Sequence, residues 1–537
     1  MDSAARGCVI ISGIFLGSGL LYLSKEAAGS ACLAAYNERM KAGDPGFDFV
    51  TELETLDDTE CADAKIYGMK PSSLLSVMAT ASGLMTASTM PLAGAVVDHT
   101  KYRWHAGAVS AFLLCFINFI QMFIGSSTWF FCAILQVFAS YTYVFHSVVQ
   151  YAYLPELTNS SKELAKMAAS FNLWQFLAET LYLMVVVALG IGLGLDDVGT
   201  AQISQFLVVL ICLFFLGYSW TYLFGHRPAL HEIESGDSLL NVGFKRMSST
   251  FRELRGEYPD VRTFLLGMAF SEAAASAFAT IAVTYLVEVL GMKSQETGIV
   301  FMCTLLFAVP GSILCKKLTA KIGPYKSYQY ALIWWGVVTC VAPLFMHKPE
   351  QSTNAYFFGI LWGIGFGWIY PTQRTCYCEL IPGGQESELM GLYIFAGQII
   401  VWFPPLLFTT LNEKGIGMEV GLGLCCGFFF FIALAILSGT LSAQVSQGGA
   451  PWKWGQPDFQ ANYPELTTAE LDLEVLAAED AVTDQFKEAP WRFGVEREVD
   501  LGLEDAGAWT LEKDRWIWRL GIHCPGATGI GLHLSSF

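Results

Sequence analysis

Apolar runs, each near the ~20 residues that a helix needs to cross a bilayer, recur twelve times along the chain. They cover Cys8 to Leu23, Pro71 to Val97, Trp104 to Ile124, Thr128 to Leu154, Met167 to Leu193 and Ile203 to Phe224, then Phe264 to Leu290, Gly298 to Leu318, Ser327 to Met346, Ala355 to Pro371, Met390 to Leu411 and Val420 to Leu441. A polar interval divides them six and six. The pattern predicts an all-α polytopic membrane protein. Residues 1–225 form a first six-helix bundle carrying a loop at 25–70, 226–262 a central linker, 263–445 a second bundle, and 446–537 a tail without long apolar runs.

Composition agrees with that reading. The 537 residues are 53% hydrophobic and 15% charged, whereas soluble domains carry about a quarter charged residues. The net charge of -17 resides mostly in the 25–70 loop and the tail, where acid serves solvation. Orientation follows the basic residues of the short loops. Lys101, Arg103, Lys162, Lys166, Arg227, Lys245, Arg246, Arg252, Arg255, Arg262, Lys316, Lys317, Lys321 and Lys326 fall on one side, which places both termini in the cytoplasm. The first run has the length of a signal peptide but lacks a clear cleavage site, and is read as a retained helix or signal anchor.

Few ionisable residues interrupt the runs, and each is costly enough in hydrocarbon to require a reason. His146 lies in the fourth run with Ser147 and Gln150 nearby, Glu179 follows Gln175 by one helical turn in the fifth, and Glu272 opens the seventh beside Ser271. Imidazole changes charge in the physiological pH range, so His146 suits either proton coupling or an interhelical hydrogen bond. Cys32 and Cys61 share the non-cytoplasmic loop and are candidates for a disulfide. The Cys376–Cys378 pair lacks the second ligand set that a closed zinc site needs. No phosphate-binding glycine loop is present, and no nucleophile, base or metal set stands at catalytic spacing, so no enzyme and no cofactor is expected. In the tail, YPEL from Tyr463 matches the short pattern read by membrane sorting adaptors.

"LAGAVVDHTKYRW" after the second run has a counterpart in "LTAKIGPYKSYQY" after the eighth, and duplicated halves are the common plan of secondary transporters. The stretch Gly94 to Arg103 resembles the signature turn of the major facilitator superfamily, which implies a cytoplasmic gate at Gly94, Asp98 and Arg103. The run "RTCYCELIPGGQESELMGLYIFAGQIIVWFPPLLF" is similar to the signature of the autophagy-related vacuole effluxer family, a branch of that superfamily. Arg374, Ile381, Pro382, Gly384, Glu386, Glu388, Gly391, Tyr393, Trp402 and Pro405 match, as does "YAYLPEL" from Tyr151. Gln398 and Val401 depart from the pattern, as do Glu272 and Ala273, and the family's opening of the first helix is absent.

The resemblance implies a major facilitator fold of twelve transmembrane helices, with Arg374, Glu386, Glu388 and Gly391 at the gate. His146, Gln150, Glu179, Glu272, Trp368 and Tyr370 would line a substrate or proton pathway, with His146, Glu272, Trp368 and Tyr370 converging on a central cavity. The implied activity is efflux of amino acids from a vacuole or lysosome-like organelle to the cytosol; proton coupling is suggested by His146 and not by the resemblance. Sugars or organic anions as cargo, a plasma-membrane location, and a non-transporting sensor that signals through the tail are the competing readings.

Overall fold

The computed structural model describes residues 1–41, 64–153, 161–226, 259–380, 392–393 and 395–440 and, in the tail, 465–467, 474–476, 478, 508–512, 515–523 and 525. The helices are α1 (Asp2–Lys41), α2 (Leu74–His99), α3 (Arg103–Gln121), α4 (Trp129–Tyr151), α5 (Ser161–Gly192), α6 (Asp197–Ile211, continued by π turns at Cys212–Leu216 and Ser219–Leu223), α7 (Pro259–Glu288), α8 (Ser294–Ile322), α9 (Pro324–Phe345), α10 (Thr353–Leu380), α11 (Phe403–Glu413) and α12 (Met418–Leu422, a π turn at Gly423–Gly427, then Phe428–Thr440).

Among the described residues, ten helical segments are long and apolar enough to span a membrane, the one that ends in α11 beginning at Phe395. The two predicted runs outside that set, α2 and α10, are helices of 26 and 28 residues. Ser, Thr and Gly in α2, and Gly, Trp and Tyr in α10, lower their hydropathy without breaking the helix.

Boundaries differ from the sequence expectation where helix propensity outlasts hydropathy. The first apolar run ends at Leu23, but the Ala-, Glu- and Lys-rich continuation favours helix, so α1 runs to Lys41 and takes the first part of the predicted 25–70 loop. Pro259 to Arg262, assigned to the linker, instead open α7, with Pro at a helix start, where its missing N–H costs nothing. Gly323, at φ +84, ends α8 in a backbone region that L side chains avoid, and Pro324 starts α9 at once.

The helix pairing repeats. In the first half α1 packs on α5 and α6, α2 on α4, and α3 on α4 and α6; in the second α7 packs on α11 and α12, α8 on α10, and α9 on α10 and α12. Adding six to each label turns one set into the other. The same rule governs contacts between the halves: α2–α11 exchanges with α8–α5, α2–α7 with α8–α1, and α1–α7 with itself. The halves are therefore related by a pseudo-two-fold axis, with α1 and α7 meeting at it. Each half has its own apolar core, around Phe15, Leu16, Leu20 and Trp220 in the first and Phe278, Trp335, Trp362 and Phe430 in the second. Phe112, Phe131, Leu213, Phe214, Val309 and Phe357 point outward, more than half exposed, as a lipid-facing surface requires.

The tightest interface is α8 against α10. Gly359, Gly363 and Gly367 form one stripe along α10, and a Cβ built on them would lie 2.9, 2.4 and 1.9 Å from the carbonyl oxygens of Val300, Thr304 and Ala308. Thr304 Oγ1 donates to the Gly359 carbonyl at 3.1 Å and Ser312 Oγ to the Gly367 carbonyl at 3.0 Å. Small residues let backbones meet where lipid supplies no hydrophobic drive.

The tail forms a separate compact unit from Gln444. Within it, β1 (Glu465–Thr467) pairs in parallel with β4 (Gly521–His523), and β2 (Ala508–Glu512) pairs antiparallel with β3 (Arg515–Arg519). Trp509 stands opposite Trp518, and Leu511 opposite Trp516. Alternating aromatic and polar residues thus take strand form. Tyr463 lies outside the described residues.

Candidate transport site

In the first half the polar groups begin at the start of α1. Asp2 and Arg6, one turn apart, share a face and meet Tyr143, His146 and Gln150, which share a face of α4. Asp2 Oδ1 lies 3.1 Å from His146 Nε2 and accepts from Trp220 Nε1 at 3.0 Å. His146 Nδ1 lies 2.8 Å from Ser110 Oγ on α3. An ionised Asp2 can only accept, which puts a proton on Nε2. The Trp220 indole reaches this group because Gly107 leaves room, and a Cβ there would lie 1.8 Å from the ring.

The order Ser110, His146, Asp2 is that of a hydrolase triad, but all three are sealed, with exposures of 2%, 0% and 4%. A triad works only with its serine open to an acyl group. Here it is a buried hydrogen-bond chain.

One turn deeper, Arg6 donates to Gln150 Oε1 and, at 3.1 Å, to the Tyr143 hydroxyl, with its guanidinium 5.1 Å from the centre of that ring. Its charge reaches Glu179 on α5, which accepts from Gln175 Nε2 at 2.9 Å. Gly7 allows this approach, since a Cβ on it would sit 2.8 Å from Glu179 Cγ.

In the second half Glu272 on α7 accepts from Gln373 Nε2 on α10 at 3.0 Å, within electrostatic reach of Tyr370 and Arg374. Ser271 and the Tyr328 hydroxyl are 2.7 Å apart. Trp368 turns away, donating from Nε1 to Ser327 Oγ on α9 at 3.0 Å. The expected convergence of His146, Glu272, Trp368 and Tyr370 thus divides. Glu272 and Tyr370 come together with Gln373 and Arg374, Trp368 packs inside its bundle, and His146 is bonded into the first half between α1, α3 and α6. The reason is one of helix faces: His146 and Trp368 point at helices of their own bundle.

Of the gate residues, Arg103 opens α3 fully buried, its guanidinium 5.6 Å from the centre of the Tyr153 ring. Gly94 and Asp98 lie in the last turns of α2, and the side chain of Asp98 is outside the described residues, as are Glu386, Glu388 and Gly391. Cys32 is disulfide-bonded; Cys61 lies outside the described residues. Asp2, Arg6 and Gln373 were missed by sequence reasoning. The first two precede the apolar run, and their one-turn spacing was the available signal.

The polar contacts described between the halves gather at one end of the bundle, the end of α1 that carries Cys32. Glu413 at the end of α11 accepts from Lys65 Nζ at 2.8 Å, Lys70 N at 2.7 Å and Ser73 Oγ at 2.8 Å, while Asn412 Nδ2 donates to Ser72 and Ser73. Behind them Ser76 and Thr409 are 2.7 Å apart. Lys25 pairs with Glu288 at 2.8 Å, Ser294 N donates to Asp197 Oδ1 at 2.7 Å, and Gln295 Nε2 donates to the Leu195 carbonyl and Thr200 Oγ1. Glycines let the halves close here, Gly83 against Trp402 and Gly190 against Gln295.

The sequence profile of the family described as "Vacuole effluxer Atg22 like" matches residues 57–448. Autophagy-related protein 22 of Eremothecium gossypii is 23% identical over 162 residues, 29% of this chain and 32% of that protein. Its counterpart in Cryptococcus neoformans var. neoformans is 24% identical over 195 residues, 34% and 33% of the two chains. The matched part thus spans about a third of these relatives. Solved structures with a similar course include the nucleoside transporter NupG (13% identity, 82% of this chain and 99% of that one, TM-score 0.45), the xylose transporter XylE from E. coli (13%, 82% and 98%, 0.49) and the human organic anion transporter MFSD10 (14%, 81% and 99%, 0.49). The chain belongs to the vacuole effluxer family. The match begins at residue 57, so α1, which supplies Asp2 and Arg6, lies outside it.

Proposed function

We propose that this member of the vacuole effluxer family is a secondary transporter that carries small polar solutes, amino acids foremost, from a vacuole or lysosome-like lumen to the cytosol by alternating access. The supporting observation is the pseudo-two-fold exchange of helix pairs, combined with polar closure of one end of the bundle. Two halves that meet through α2–α11 and α5–α8 can rock about a site between them. The closed end is read as lumenal, because a disulfide at Cys32 persists only in an oxidising compartment and the basic loops lie opposite. The structure would then represent the lumen-closed state of the cycle.

The energy source in this reading is the proton gradient of an acidic organelle, with the Asp2–His146 pair as the proton-carrying group. Uptake into sealed vesicles, screened across amino acids, sugars and organic acids with and without a pH gradient, tests the reading. Amino acid movement that responds to the gradient is the expected result. Movement of sugars or organic anions alone, or of no solute, rejects it.

A further inference from the structure

The two halves hold a charged side chain in the same way but with opposite sign. On α1, Arg6 donates to Gln150 on α4; on α7, Glu272 accepts from Gln373 on α10 at 3.0 Å. The two-fold exchanges α1 with α7 and α4 with α10, and α1 and α7 pack on each other at the axis. Gln150 and Gln373 stand within one residue of the same depth, counted from the helix starts at Trp129 and Thr353. Each charge also has an opposite neighbour in its own half, Glu179 for Arg6 and Arg374 for Glu272. Gln150 Nε2 has no hydrogen-bond partner among the described residues although its side chain is 3% exposed. Arg6 is also 3% exposed, so this pole is shut in the present conformation and is reached when the bundles part; a buried donor left open beside a guanidinium is then a place for an anionic oxygen, since the cost of an unmade bond is recovered when a ligand supplies it.

We propose that Arg6 with Gln150, and Glu272 with Gln373, are the two poles of one site that recognises a zwitterion. A ligand carboxylate would take the guanidinium fork and the Gln150 amide, and a ligand ammonium would donate to Glu272. This rests on the amino acid reading above and gives it a selectivity rule. A solute with both charges engages both halves at once, whereas a simple anion or amine engages one half and leaves the other pole unmet. Differential contact with the two halves is what allows a ligand to shift their equilibrium.

The test uses the purified full chain in lipid nanodiscs, with binding measured by calorimetry. The probes are leucine and tyrosine, their decarboxylated amines (3-methylbutylamine and tyramine), and N-acetylleucine and N-acetyltyrosine. The wild type is expected to bind the amino acids about tenfold to a hundredfold more tightly than either derivative, the range for losing one charge-assisted hydrogen-bond set. Arg6→Gln should weaken the amino acids to the level of the amines while amine binding persists, and that persistence shows the variant is folded. Glu272→Gln should weaken them to the level of the N-acetyl compounds, whose binding persists. Gln150→Met removes both the open donor and the oxygen that accepts from Arg6 while leaving every charge in place; it should give a smaller loss of the same kind, which keeps the test available if Arg6→Gln does not fold. If the amino acids bind and both charge variants keep wild-type discrimination, the two-pole site is overturned while the efflux reading stands. If neither amino acid binds, the site is overturned whatever the vesicle assay shows. If the vesicle assay also finds no amino acid movement, the efflux reading falls as well.

Discussion

The glycine stripe of α10 sets a stability prediction with a steep dependence on position. A Cβ on Gly367 would lie 1.9 Å from the Ala308 carbonyl oxygen, whereas ordinary contact begins at 3.4 Å. The atom in the way is backbone, so no side chain can swing aside and the two helices must part by about 1.5 Å at that level, enough to forfeit much of the local dispersion attraction. Parting also stretches the Ser312 and Thr304 bonds to the Gly367 and Gly359 carbonyls. Overpacking costs about 1–3 kcal/mol, and interhelical hydrogen bonds in membranes average about 0.6 kcal/mol each. Gly367→Ala should therefore destabilise the protein by about 2–4 kcal/mol, and Gly363→Ala, at 2.4 Å from the Thr304 carbonyl, by somewhat less. Gly217 in α6 has nothing within 4 Å of its built Cβ, so Gly217→Ala should be neutral or slightly stabilising, by up to about 1 kcal/mol of helix propensity. Unfolding in detergent, followed by the reaction of a fluorogenic maleimide with the buried cysteines, measures all three. A Gly367→Ala midpoint equal to that of Gly217→Ala would refute the reasoning.

His146→Gln keeps a hydrogen-bonding side chain but removes titration; solute exchange at equal concentrations should survive and pH-driven accumulation should vanish, and a variant that still accumulates solute would remove the Asp2–His146 pair from coupling. Glu413→Gln should loosen the closed end of the bundle, raising the rate at which a thiol reagent applied from that side labels a cysteine placed at the buried Ser76 by at least severalfold at neutral pH; equal rates would show that Glu413 does not hold the two halves together. Reduction should change the gel mobility of a preparation cleaved between Cys32 and Cys61, and Cys32→Ser should abolish the change; two thiols that alkylate fully without reduction would mean that Cys32 has another partner.

Span positions were legible because a bilayer demands about twenty apolar residues in sequence, a constraint local to the chain. The turn after α8 was legible for the same reason, since Gly323 and Pro324 act on their own backbone. What failed to show was long-range. Asp2 and Arg6 precede the first apolar run and meet α4 across 144 residues, so hydropathy assigned them to a solvated terminus. Trp368 was placed in the cavity by helix number alone; its bond to Ser327 depends on the rotation of α10, which the glycine stripe fixes by turning one face of that helix onto α8. The cross-half bonds of Glu413 and Glu288 were invisible because each residue sits at the end of an apolar run, where a carboxylate reads as ordinary solvation.

The glycine seam also makes the two bundles unequal as mechanical parts. In the second half α8 and α10 touch backbone to backbone along three successive turns, so neither can slide or tilt without collision, and the pair transmits force like a single beam. Its counterpart in the first half, α2 against α4, shows no such weld among the described residues, since α4 contains no glycine and Gly83 of α2 faces Trp402 instead. Side chains can change rotamer where backbones cannot yield. Any deformation that accompanies rocking should therefore concentrate in the first bundle, with the second serving as the stiff arm against which it bends.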